Sequence, residues 1–356
     1  MHSCCCSERS IEASSHTRPR LLPQSLKRIG FFLIVLIGWC LGIAAACAQE
    51  PAPDTNARET IRVQLKWRHQ FQFAGYYAAI EKGYFREAGL EVELLPGQPD
   101  RNPSDALSSG QAEFAVLSPA VLLERQQGRP LVVLAAIFQH SANVIMTRKD
   151  AGLVTPQDLK GKRVMMTPES DPENLAMLKH AGISPDSLTI LPHNWSVEDL
   201  IAGRVDGQSA YLSNEPYLMK KRGVAPAFIQ PVHWGIDFYG DCLVGTEHEM
   251  SEHPKRTEAF RRAVQRGWLY AMEHPEEIAR LILARYSQEK SLEHLLFEAE
   301  AMRALIRPEL VEIGHLNPER WRHIADTYVQ LGMLSPGYSL KGLLYSQVQE
   351  DLAASR

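Results

Sequence analysis

From residue 61 onward one pattern recurs: a short apolar or alternating run, then a helical stretch, closed by glycine or proline. Ile61, Val63 and Leu65 alternate with polar residues, as a half-buried strand does, and residues 73–82 follow as a helix stopped by Gly83. Glu91–Leu94, Phe114–Leu117 and Leu131–Ile137 read as further strands, with short helices at Asp105–Gly110 and after Ser118-Pro119. A second set runs through strands at 143–147, 163–166, 188–191, 208–212 and 227–230, with helices at 172–181, 196–202 and 215–222. Strand–helix alternation of this kind predicts an α/β fold with largely parallel strands. Two such sets predict two lobes. The segments near 138–147 and 231–242 would be two crossings between them, which make a hinge and, with it, a cleft. Cys242–Val244 reads as a last core strand. Beyond it the chain turns helical, at 254–273, 275–286, 290–305 and 318–331, and Trp268, Tyr270, Ile278, Leu281 and Ile282 fall at core-facing helical spacing.

The first 60 residues follow other rules. Residues 30–46 are apolar and uncharged, follow Lys27-Arg28 and end in small residues, which is the pattern of a secretory signal peptide. Ala46-Cys47-Ala48 offers a cleavage site that would start the mature chain at Gln49, while Ala44-Ala45-Ala46-Cys47 is a poor lipobox that would leave Cys47 lipidated. Residues 1–48 hold five basic and two acidic residues, so the full chain's net charge of −4 becomes −7 from Gln49 onward. That balance argues against nucleic acid or an anionic membrane surface as partner. Of six cysteines only Cys242 lies beyond residue 48, which leaves no internal disulfide and no cysteine metal site. The expected organisation is a signal peptide at 1–48, a linker at 49–60, lobe 1 from 61–140 and 241–345, and lobe 2 from 141–240, in a periplasmic monomer.

Open α/β sheets bind ligands beyond the carboxyl ends of their strands. Three such ends look alike: Ser118-Pro119, Thr167-Pro168-Glu169-Ser170-Asp171-Pro172 and Ser213-Asn214-Glu215-Pro216. Each sets a capping side chain before a proline suited to a first helical turn, with free backbone N–H groups at the helix start. Ser118, Thr167, Ser170, Asn214 and Glu215 are therefore candidate ligand contacts, although ordinary capping would need the same residues. Glu215 could accept from an amine or ring N–H, or simply meet its own helix dipole. The fourth strand end, Trp67-Arg68-His69-Gln70-Phe71-Gln72-Phe73-Ala74-Gly75-Tyr76-Tyr77, is rich in aromatics and amides. Such residues suit a flat polar heterocycle, whose faces stack and whose edges hydrogen-bond. Trp67, His69, Tyr76 and Tyr77 join the candidates, Trp67 first for stacking, although Phe71, Phe73 and Tyr76 would equally serve to pack the helix on the sheet. Gly75 would allow a close approach of backbone and ligand or of helix and strand. Tyr239, at the second crossing, would serve hinge and cleft wall together. No G-x-S-x-G elbow, H-E-x-x-H or Walker loop is present, and His248 and His253 read as part of a solvated loop.

Leu65-Lys66-Trp67, Phe73–Ala79 and Glu81-Lys82-Gly83-Tyr84-Phe85 resemble the opening of the thiamine-pyrimidine-precursor synthase-like family. Glu87–Val92, Asp105–Gly110, Phe114–Ser118, Asp158–Lys162 and Asn214-Glu215-Pro216 continue the resemblance, over roughly 61–330. It implies a two-lobed type II periplasmic-binding-protein fold, with a hinge of two crossings and a C-terminal helical return. It also implies capture of a pyrimidine-like heterocycle for an ABC importer permease, with Glu215 on the ligand's polar edge and no cofactor. Domains like these also serve as ligand-sensing subunits of membrane signalling proteins. The family's fungal enzymes build the thiamine pyrimidine from their own histidine and bound pyridoxal phosphate, with iron. Their histidine position matches Phe73 here, their cysteine-rich motif has no counterpart, and no lysine stands out for the aldehyde. A synthase is accordingly the less favoured reading.

Overall fold

The computed structural model describes residues 58–99, 101–167 and 171–354. The apolar run at 30–46, Cys47, residues 49–57 of the linker and Ser170 lie outside the described residues, and the first strand already begins at Glu59, inside the expected linker. Among the described residues no helix is long and apolar enough to cross a membrane.

Two five-stranded sheets organise the chain. Strands β1 (Glu59–Gln64), β2 (Leu90–Leu95), β3 (Phe114–Leu117), β4 (Leu131–Ala136) and β10 (Cys242–Thr246) form the first, in the order β2-β1-β3-β10-β4. Strands β5 (Asn143–Arg148), β6 (Arg163–Met165), β7 (Thr189–Leu191), β8 (Gly207–Tyr211) and β9 (Pro226–Ile229) form the second, in the order β7-β6-β8-β5-β9. The first sheet carries helices α1 (Ala74–Glu81), α2 (Tyr84–Glu87), α3 (Pro103–Ser108) and α4 (Val121–Gln126). The second carries α5 (Pro172–His180), α6 (Glu198–Ile201) and α7 (Glu215–Lys221). The return supplies α8 (Glu247–Glu252), α9 (Pro254–Glu273), α10 (Pro275–Arg285), α11 (Leu292–Ile306), α12 (Pro318–Gln330) and α13 (Tyr345–Ala354). The two-lobed fold and its helical return are as expected, but the sheets are mixed rather than largely parallel. Strand β10 runs antiparallel to both neighbours, β3 and β4, and β5 runs antiparallel to β8 and β9. The reason is geometric: each is the strand by which the chain enters a sheet after crossing from the other lobe.

The return helices are positioned by close packing. On α1, an added Cβ at Gly75 would sit 2.2 Å from Cγ of Trp268, and one at Gly267 would sit 2.1 Å from the Gly75 carbonyl oxygen. Glycine at both positions lets α1 and α9 approach backbone to backbone, with the buried Trp268 indole over the seam. Trp268 also meets Tyr76 and Phe138 edge-on. Helix α12 lies under the crossings: Trp321, Ile324 and Tyr328 share one apolar cluster with Val121 of the first lobe, Leu178 of the second and Phe238 between them.

Candidate ligand-binding cleft

After β1 the chain bends through Lys66–Gln70 and makes a single 3-10 turn, Phe71–Phe73, before α1. The bend aims two polar side chains at Asp241, the residue before β10. Lys66 Nζ donates to Asp241 Oδ1 at 2.9 Å and Gln72 Nε2 donates to Oδ2 at 2.7 Å. From the second lobe, the Tyr211 hydroxyl donates to Oδ1 at 2.8 Å, and Lys66 lies 5.2 Å from the centre of the Tyr211 ring. Asp241 is 2% exposed, so this carboxylate is held by one cation and two neutral donors where water does not reach. It joins lobe 1, lobe 2 and the second crossing at one point.

Lobe 2 faces this hub with two more buried carboxylates at the start of α5. Asp171 accepts from the Thr167 N–H at 3.0 Å, with the polar side chains of Ser209 and Asn174 nearby. Burial pushes its carboxyl up to about 6, against the pull of these polar groups and of Lys66. Glu173 accepts from Asn143 Nδ2 at 3.1 Å and Ser141 Oγ at 3.5 Å, and burial raises its pKa too, with Lys66 opposing. At the mouth, Trp67 of lobe 1 meets Trp195 of lobe 2 with ring centres 4.9 Å apart. At the rim, Lys290, ahead of α11, donates to Gln70 Oε1 and Asn214 Oδ1, each at 2.5 Å, and pairs with the buried Glu298. Beside it Tyr217 stacks on His294 at 4.2 Å and donates to Glu293 at 3.0 Å. The His294 ring is pushed down to about 3 by burial, with Lys290 adding to the effect.

The residues singled out in the sequence scatter over these surroundings. Trp67 is half-buried at the mouth. His69 is half-buried behind it, Nδ1 at 3.0 Å from the Tyr77 hydroxyl, and burial holds its pKa below the usual histidine value. Tyr76 and Tyr77, expected on the cleft wall, are core residues instead: both are buried in the cluster of the first lobe, against Trp268 and Tyr286 respectively. A helix turns one face to solvent or ligand, and α1 turns that side against α9. Ser118 Oγ accepts from the Ala120 N–H at 3.3 Å, and the Thr167 N–H donates to Asp171. The Glu215 carboxylate takes the Tyr211 N–H at 2.7 Å and the Asn214 amide at 2.6 Å, so it orders its own turn. Asn214 in turn meets Lys290 across the lobes. Tyr239 is buried away from this hub. It accepts from the Asn317 N–H at 3.0 Å and lines a separate cavity of about 460 Å³ with Gln139, His315 and Arg320.

The hub itself was hidden from sequence reasoning. Lys66 and Asp241 are 175 residues apart, and Lys290 and Asn214 are 76 apart. Lys66 ends a strand run and Asp241 begins one, which was the available signal. Trp195 had none, because it sits in a polar loop. Among the described residues, no group of three or more His, Cys, Asp or Glu side chains is placed to hold a metal ion. Buried Cys242 has its thiol pKa raised well above the usual range by burial.

Comparison with known proteins agrees with this fold. The chain is 26% identical over 312 residues to the formylaminopyrimidine-binding protein of Halalkalibacterium halodurans, covering 85% of this chain and 92% of that one. It is 24% identical to the riboflavin-binding protein RibY of Chloroflexus aurantiacus, covering 86% and 92%. The periplasmic aliphatic sulphonate binding protein SsuA of Escherichia coli superposes with a TM-score of 0.63 at 13% identity, over 80% of this chain and 92% of that one, which shows a shared fold. Residues 70–278 match the family described as NMT1/THI5 like, well over half of the chain, and the protein belongs to that family.

Proposed function

We propose that this chain is an extracytoplasmic substrate-binding protein that captures a small pyrimidine-like heterocycle between its lobes and delivers it to an ABC importer. One observation carries the reading: strand ends from both lobes and a crossing converge on Asp241, beneath an aromatic mouth made by Trp67 and Trp195. A ligand held there touches both lobes, so its binding energy favours the closed form, which is the form a permease reads. The signal-peptide pattern at 30–46 and the relatives' names for a pyrimidine and a flavin support the location and the ligand class. In this reading Trp67 supplies a stacking face, Ser118 and Thr167 offer polar contacts, and Asn214 and Glu215 shape the lobe-2 loop.

Lys66 gives the synthase reading one point, because a pyridoxal aldehyde needs a lysine and this one reaches the cleft. The surroundings do not fit the group. Lys66 is tied to Asp241, and its charge is also felt by Asp171 and Glu173, three buried carboxylates that oppose a phosphate. Phe73, at the family's histidine position, is buried in the core. A thermal-shift screen of the chain from Gln49 tests the assignment. Formylaminopyrimidine and related heterocycles are expected to raise the melting temperature, as a ligand at a hundred times its Kd adds roughly 2.7 kcal/mol. A shift with pyridoxal phosphate alone would overturn the reading.

A further inference from the structure

Trp195 is placed where folding alone would not put it. Its φ is +60°, in the left-handed region that side chains larger than glycine rarely adopt, and it is 46% exposed. It is one of two non-glycine residues with positive φ among those described, and the other, Arg307, simply ends a helix. The loop around Trp195 is tied down at every step. His193 Nε2 meets the Ser209 carbonyl oxygen at 2.9 Å, and its Nδ1 accepts from the Trp195 N–H at 2.9 Å. These two bonds place the ring proton on Nε2. Asn194 Oδ1 accepts from the Ser196 N–H at 3.1 Å while its amide donates to Asp199 at 2.7 Å, and Ser196 Oγ accepts from the Glu198 N–H at 3.2 Å. Surroundings that hold a bulky residue in an unfavourable conformation, half in solvent, point to a use outside the fold.

The use is visible in what the indole meets. Behind Trp195 the His193 ring backs it, with centres 4.6 Å apart. In front stands Trp67 of the other lobe, tilted at 52°. The two indoles form an open V across the mouth rather than a stack, and hinge motion changes the spacing of its arms. A flat ring entering the V gains an aromatic face on each side. One residue inward from Trp67, Lys66 is paired with buried Asp241, and two more buried carboxylates, Asp171 and Glu173, feel its charge. Buried Asn174, whose amide donates to the Val144 carbonyl, also leaves its Oδ1 without a partner. That surplus of acceptors favours N–H edges and opposes anions.

We infer that Trp195 is the lobe-2 jaw of an indole clamp whose lobe-1 jaw is Trp67, and that the clamp selects flat heteroaromatic rings bearing N–H groups over aliphatic anions. The inference rests on the interlobe cleft being the ligand site. Isothermal titration with formylaminopyrimidine, riboflavin and ethanesulfonate, on wild type, Trp195→Gly and Trp195→Phe, tests it. Wild type is expected to bind at least one of the two flat rings and not the sulfonate. Trp195→Gly is expected to weaken ring binding at least tenfold, with Trp195→Phe recovering most of the loss. The ligand-free melting temperature of Trp195→Gly is expected to hold or rise, because glycine relieves the positive φ; a structural role would lower affinity and melting temperature together. Unchanged ring affinity in Trp195→Gly overturns the clamp and leaves the binding-protein reading intact. Wild type that binds ethanesulfonate and neither ring also overturns it, and wild type that binds none of the three overturns both.

Discussion

Asp171 shows how a single side chain couples the cleft to pH. Its carboxyl titrates near 6 in the folded protein because it is buried, against an unfolded value near 3.8. Below the unfolded value both states are protonated and burial costs nothing. Above the folded value both are ionised, and the folded state carries a cost on the order of 2–3 kcal/mol. Stability is therefore lost as pH rises from about 4 to about 6. Asp171→Asn, which keeps an acceptor for the Thr167 N–H, is expected to raise stability by roughly that amount at pH 7.5 and by little at pH 4, in urea titrations at each pH. An equal gain at both would show that charge is not the cause. The residue scale is also where the sequence was least legible. Trp67 could be picked out from its place at a strand end. Tyr76 and Tyr77, nine and ten residues on, could not be separated from it, because which face of α1 is covered depends on a helix nearly two hundred residues away.

At the scale of elements the sequence says more. Alternation and glycine stops place most strands and helices close to where they form, and Gly75 was legible as a point of close approach. Its partner was not: Gly267 sits inside α9, where a helical glycine looks like a weakness. The structure makes the pair a requirement. Gly267→Ala would drive a methyl into the Gly75 carbonyl and Ala79, and neither is the far end of a flexible chain. The expected loss is at least about 2 kcal/mol in urea unfolding, whereas the gain from helix propensity alone would be about 1 kcal/mol of opposite sign. A stabilised variant would show that α1 and α9 can part without cost. The antiparallel direction of β5 and β10 was not legible, since alternation records that a strand exists and not which way it enters its sheet.

For the whole molecule, the contacts at the rim decide how readily the lobes part. Lys290 spans them, from Gln70 and Glu298 to Asn214, and Tyr217 leans on His294 and Glu293 beside it. None of these groups belongs to the clamp or the Asp241 hub. Lys290→Ala is therefore expected to widen the ligand-free protein in small-angle scattering and to weaken every ligand by one common factor, several-fold, because the closed state becomes less populated. A loss confined to one ligand would place Lys290 on the ligand itself.

One feature of the first sheet has a consequence for the order in which the molecule can assemble. Strand β10 lies between β3 and β4, so those two strands, close in sequence, have no ladder to share until Cys242–Thr246 arrives. Leu117 must wait for Cys242, about 125 residues later, before that edge is paired, and loop closure over such a span is slow. A chain made from its N-terminus thus holds lobe 1 as an unfinished half-sheet while the whole of lobe 2 is synthesised. It stays threadable for most of its length, and the step that commits it to a compact shape falls late.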